Sequence, residues 1–132
     1  VTIDKEWESY WRARNEDPLD DAETLKLRKD GTISEIGQIP KSLDEIEGQY
    51  MGLMKFSAKG VKKIKNIFYK AVKNGELQGK SVENSYMTDL LQSVIDSGFP
   101  IQAVPIFGGW IEVDTVDDLR STTTIDRVNS IK

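Results

Sequence analysis

From Met87 to Ile95 apolar residues recur at i, i+3, i+4, i+7 and i+8 (Met87, Leu90, Leu91, Val94, Ile95), and Gly98 stands just beyond the last of them. That period predicts an amphipathic helix closed by a left-handed glycine, and its apolar stripe has to be buried against other elements. Several of those elements read as strands. Leu25–Arg28 and Thr32–Ile36 flank Asp30-Gly31, a pair that supplies the positive φ angles of a tight hairpin turn. Val1–Ile3 has the look of a strand tail, and Tyr50–Phe56, Ile101–Ile106 and Trp110–Asp114 are further apolar runs of strand length. Helical spacing links Trp7, Tyr10, Trp11 and Arg14. It returns between Ser57, a suitable N-cap, and Gly75 through Val61, Ile64, Phe68, Ala71 and Val72. Residues 15–21 read as a loop, and Thr115, with Asp118 three residues on, opens a last helix through an acidic relative of the capping box. Strands and helices interleave, so the expected class is α/β.

The 132 residues, 38% of them hydrophobic, suit one domain or part of one, and no repeat or linker divides them. No apolar run is long enough for a membrane helix and the start, Val1-Thr2-Ile3-Asp4, is no signal peptide, so a cytoplasmic protein with no membrane partner is expected. The first residue is not Met, which is consistent with a missing upstream portion. The chain has neither Cys nor His. Thiolate chemistry and imidazole ligation are therefore excluded, and any reaction has to run on carboxylates, amides, hydroxyls and cations. Charge is unevenly spread: between residues 48 and 80 eight lysines meet a single acid. With no Arg and only Phe68 and Tyr69 near its centre, this island reads as a solvated helix face rather than a nucleic-acid surface.

Gly108-Gly109-Trp110-Ile111-Glu112-Val113-Asp114-Thr115 is the stretch with the most chemistry. As a strand it would put Trp110, Glu112 and Asp114 on one face, with Asp114 at the strand's C-terminal end, where open α/β sheets present ligands. Carboxylates so placed suit Mg²⁺. Equally, Asp114 could only cap the last helix and Glu112 could be an exposed strand residue.

Three ordered motifs bear on that choice: Glu45-Ile46-Glu47-Gly48-Gln49-Tyr50-Met51-Gly52-Leu53-Met54-Lys55-Phe56, Tyr86-Met87-Thr88-Asp89-Leu90-Leu91, and Gly109-Trp110-Ile111-Glu112-Val113-Asp114-Thr115 followed by Asp117-Asp118-Leu119. In order and over nearly the whole chain, they resemble the later motifs of sugar-nucleotide and phosphocholine-type nucleotidyltransferases, nearest the cytidylyltransferase branch that acts on small phospho- or phosphono-amino compounds. The resemblance implies the C-terminal portion of a Rossmann-like nucleotidyltransferase sheet with flanking helices and a β-hairpin insertion. It implies that Asp114 helps hold a catalytic Mg²⁺, that Glu112 is a supporting or substrate contact beside it, and that Glu47 and Gly48 lie by the acceptor. Tyr86, Asp89 and Trp110 are weaker candidates near the substrate. For Tyr86 and Asp89 the plainer reading is packing and a carboxylate in a first helical turn.

The family's Gly-rich loop, whose backbone N–H groups cradle a triphosphate, has no counterpart here, and its earlier metal-binding Asp would lie upstream of Val1. The expectation is thus a part of a Mg²⁺-dependent enzyme that moves a nucleotidyl group from an NTP, CTP favoured, to a small phosphate or phosphonate acceptor with release of pyrophosphate. Such a reaction needs neither His nor Cys. The alternative is a non-catalytic truncated module that acts through protein contact or self-association, because a half-sheet leaves an edge and an apolar face to cover. A complete glycosyltransferase is disfavoured by the lack of an Asp-x-Asp motif. An aromatic cage of Trp7, Trp11, Tyr50, Tyr86 and Trp110 is disfavoured because aromatics at i and i+4 are more often core.

Overall fold

The computed structural model describes residues 1–130. In chain order the elements are β1 (Thr2–Asp4), α1 (Trp7–Arg14), β2 (Leu25–Leu27), β3 (Ile33–Ile36), β4 (Gln49–Tyr50), α2 (Ala58–Asn74), β5 (Glu76–Leu77), β6 (Lys80–Ser81), α3 (Met87–Asp96), β7 (Val104–Ile106), α4 (Val116–Arg120) and α5 (Thr122–Ser130), with short 3₁₀ turns between some of them. The class is α/β. Its main sheet is mixed, with β1 at the centre, antiparallel to β4 and parallel to β7. A Rossmann-like half-sheet is a finer description than these three short strands carry.

The helix read from the 87–95 stripe forms as α3, with Gly98 left-handed at φ 76°. Leu91, Val94 and Ile95 enter a core with Ile3, Leu25, Ile33, Ile36, Ile101 and Ala103, while Leu90 meets Ala71 and Leu77 on the other side. Thus α3 is wedged between the β2–β3 hairpin and α2. Helix α2 also begins and ends where its sequence signals stand: the Ser57 hydroxyl accepts from the Gly60 N–H at 3.0 Å, and Gly75 adopts φ 75°. Its packed line is buried Gly60 and Ala71 with half-buried Ile64 and Ile67 between them, whereas Val61, Phe68 and Val72 from the expected stripe stay exposed.

Other expectations need correction. In the hairpin only Gly31 takes a positive φ; Asp30 instead accepts from the Thr32 N–H and hydroxyl, giving a longer turn than the two-residue form. Of the run Tyr50–Phe56 only Tyr50 is strand, as the end of β4 (Gln49–Tyr50); past Gly52 at φ 76° a single bond, from the Thr2 N–H to the Leu53 carbonyl, still joins the chain to β1. The run Ile101–Ile106 narrows to β7. Trp110–Asp114 is in no strand: the segment has no regular secondary structure and no ladder partner. The final helix does open at Thr115, then breaks at Ser121 into α4 and α5.

Strand β7 is an edge. Val104 N–H donates to the Val1 carbonyl and the Ile106 carbonyl accepts from Lys5 N–H, so both residues turn their polar groups towards β1 and Pro105 between them faces outward. A proline there offers no N–H to a further strand, which blunts the edge.

Candidate functional site

The unpaired segment from Gly108 to Asp118 is held by three side chains of the β1–α1 unit. At the end of β1, Asp4 is wholly buried; its Oδ1 accepts from the N–H groups of Glu6 and Gly108, both at 2.9 Å, and its Oδ2 from Trp110 Nε1 at 2.8 Å. One turn into α1, the Tyr10 hydroxyl accepts from the Glu112 N–H at 2.9 Å and donates to the Glu112 carbonyl at 3.1 Å. A single phenol thus satisfies the backbone groups that a neighbouring strand would otherwise pair. Next comes Arg14.

Arg14 sends each of its nitrogens to a different carboxylate: Nε to Asp118 at 3.2 Å, Nη1 to Glu112 at 2.9 Å and Nη2 to Asp114 at 2.9 Å. Its side chain is 8% exposed and lies by the rings of Tyr10 and Trp11, at 5.4 and 5.6 Å. Burial opposes its charge, but the bonds to Asp118, Asp114 and Glu112 outweigh burial and raise its pKa. The same burial lifts the Glu112 carboxyl above its ordinary value against the pull of Arg14, and burial lifts nearby Asp21 as well. Asp118 goes the other way, down to about 2, through the Thr115 hydroxyl first and then Arg14. That hydroxyl bond belongs to a reciprocal cap: Thr115 Oγ1 accepts from the Asp118 N–H at 3.0 Å, and Asp118 Oδ2 accepts from the Thr115 N–H at 2.9 Å. Asp114 remains 60% exposed on a cleft of about 480 Å³ that Asp20, Asp21, Asp117 and Asp118 also line.

The residues singled out in the sequence therefore fall in three places. Glu112 and Asp114 do come together, through Arg14 rather than through a strand. Trp110 leaves them, packing at 5.9 Å from Tyr10 and bonding Asp4, near the end of β1 where Gly48 is also buried. A Cβ on Gly48 would stand 3.1 Å from the Asp4 carbonyl oxygen, so this glycine permits close chain approach. Glu47 Oε1 accepts from the Leu27 N–H at 2.9 Å and its carbonyl accepts from Lys5 Nζ, tying β2 to β1. Tyr86 and Asp89 lie apart from both groups at the start of α3. Buried Asp89 accepts from Lys80 Nζ at 2.9 Å and the Tyr86 N–H at 2.7 Å, while the Tyr86 ring lies 5.3 Å from that ammonium. For Asp89 this is the first-turn carboxylate of the plainer reading, whereas Tyr86, 69% exposed, does not pack into the domain as that reading has it.

Asp4, Tyr10 and Arg14 escaped the sequence reading as site residues. The signal that could have found Arg14 is a cation ending an otherwise aromatic helical stripe. The aromatics do not make an open cage: Trp7, Tyr10 and Trp11 are core, and the Tyr10 ring already has the Arg127 guanidinium at 4.0 Å as well as Arg14.

Among the described residues no three acids come together in an arrangement that would hold a metal ion. Arg14 engages Oδ2 of Asp114, and that side chain stays largely exposed where it lines the cleft. An oxygen donor of this kind fits Mg²⁺ when phosphates and water fill the remaining positions.

Over 120 residues, 90% of its length, the chain is 41% identical to the CTP:phosphoglutamine cytidylyltransferase of Campylobacter jejuni. The likeness is to a protein of the nucleotidyltransferase type. The chain spans about half, 47%, of that cytidylyltransferase. No family model matches it and no solved structure does. No helix among the described residues is long and apolar enough to cross a membrane.

Proposed function

We propose that this chain carries the Asp114 side of the active site of a CTP-dependent cytidylyltransferase, which transfers a cytidylyl group to a small phosphate or phosphonate acceptor. The carrying observation is the 41% identity to a cytidylyltransferase across nine tenths of the chain, with the exposed Asp114 carboxylate fixed beside Glu112 on the cleft as its geometric support. In the reaction an oxygen of the acceptor attacks the α-phosphorus of CTP, the bond to the bridging oxygen breaks, and pyrophosphate leaves. Mg²⁺, when bound, neutralises charge on the phosphate oxygens. Asp114 supplies an oxygen towards that ion. Glu112, lifted in pKa by burial and held by Arg14, supports the position of Asp114. Glu47 and Gly48 set the course of the chain at the end of β1, and any contact they make with the acceptor is through that loop. The name of the relative favours CTP as donor and an amino-acid-derived phosphate as acceptor.

The second reading, a module that works by self-association, draws on one feature: an apolar groove of about 400 Å³ between α2 and β7, lined by Phe56, Ile64, Phe99 and Val104. It holds none of the candidate site residues.

A chimera separates the two. With the matched 120 residues of the Campylobacter jejuni relative replaced by those of this chain, release of pyrophosphate from CTP in the presence of phosphoglutamine should persist. It should fall by about 100-fold or more in Asp114→Ala. A folded chimera that releases none, or one indifferent to Asp114→Ala, would sink the proposal.

A further inference from the structure

Arg14 bears one charge, yet Glu112, Asp114 and Asp118 all bond to it, and Asp21 is close enough to feel its field. Those four carboxylates would repel one another strongly without a cation among them. The guanidinium is no surface side chain that has drifted into range. It is almost fully buried, it uses all three nitrogens, and the Tyr10 and Trp11 rings hold it from the side. A planar fork with donors in three directions can bond three carboxylates at once, which a lysine ammonium on a flexible stem does far less well.

We infer that Arg14 is the resident counter-cation of this cluster and a specificity-determining residue of the site: a divalent ion gains Asp114 only in competition with it. This rests on the assignment of Asp114 to metal binding. The consequence is a site that takes a free divalent ion poorly, and takes one well when phosphate oxygens provide most of its ligands. A merely structural Arg14 predicts the opposite response to its removal, because loosened carboxylates would bind any cation less well.

The test is a titration of the full chain with Mn²⁺ alone, followed by the electron paramagnetic resonance signal of the free ion, for the wild type, Arg14→Gln, Arg14→Lys and Arg14→Gln/Asp114→Asn, with circular dichroism to verify folding. Loss of a positive charge a few ångströms from the ion should tighten binding about tenfold in Arg14→Gln, and the double variant should lose that gain. Arg14→Lys, which keeps the charge but cannot span three carboxylates, should fall between wild type and Arg14→Gln, and it carries the test should Arg14→Gln not fold. A folded Arg14 variant that binds Mn²⁺ no more tightly than the wild type overturns the inference. If binding is equal in both and still needs Asp114, the metal assignment survives and only the role of Arg14 fails. If tightened binding is unaffected by Asp114→Asn, the role given to Asp114 fails with it.

Discussion

Asp118 joins two structures, bonding the Thr115 hydroxyl and N–H at the head of α4 and Arg14 at the end of α1. Its folded pKa, about 2, lies below the ordinary 3.8. A depressed carboxylate stabilises fully above its unfolded value and loses that contribution as pH falls towards its folded one. The stability difference between wild type and Asp118→Asn, measured by urea unfolding, should therefore be constant above about pH 5 and shrink between about pH 4 and 2. Glu112 and Asp21, both raised, act with the opposite sign and lose an unfavourable contribution as they protonate, so the difference curve rather than the wild-type curve is the diagnostic. A difference that stays flat across that window would mean the Asp118 bonds add nothing. Tyr10 offers a separate test. Tyr10→Phe removes a hydroxyl that both accepts from and donates to the backbone of Glu112, and it should cost about 1–3 kcal/mol in the same measurement because the Glu112 groups lose their partner.

The elements legible in the sequence were those specified locally. Ser57, Gly75 and Gly98 mark helix ends through backbone geometry within a few residues, and Thr115 with Asp118 does likewise for α4. Trp110–Asp114 reads as a strand because apolar and polar residues also alternate in an irregular segment, here one whose Glu112 backbone is bonded by a tyrosine 102 positions away. For the same reason Glu112 and Asp114 could be grouped from spacing, while their link to Arg14, 98 and 100 positions distant, could not. The face of α2 was misjudged because its sequence carries two apolar lines and only the fold decides between them. Hence Ile67→Ala, on the line that packs, should cost about 2 kcal/mol, whereas Val72→Thr, 52% exposed, should stay within about 0.5 kcal/mol. Equal costs in thermal or urea unfolding would show that the outer line is covered in solution.

Across the whole molecule, the β1–α1 unit is the frame that places the chemistry: Asp4, Tyr10 and Arg14 fix, in order, Gly108 and Trp110, then Glu112, then Asp114 and Asp118. The open side of the same sheet is guarded by Pro105, and Pro105→Val, which restores an outward N–H beside exposed Val104, should raise the association state seen by sedimentation velocity. Unchanged sedimentation would mean that the edge is protected by something other than proline. The proposed chemistry turns on Asp114, and metal substitution probes that carboxylate. The chain has no cysteine, so Asp114→Cys gives its part of the Campylobacter jejuni chimera a single thiol, at a known place, and the chimera without that substitution is the control. Cytidylyl transfer supported by Mg²⁺ should then fall by about 100-fold or more and recover in part with Cd²⁺, a softer ion that accepts thiolate. Transfer that persists with Mg²⁺, or a folded variant that Cd²⁺ does nothing to restore, would contradict the assignment of Asp114 as the metal's carboxylate.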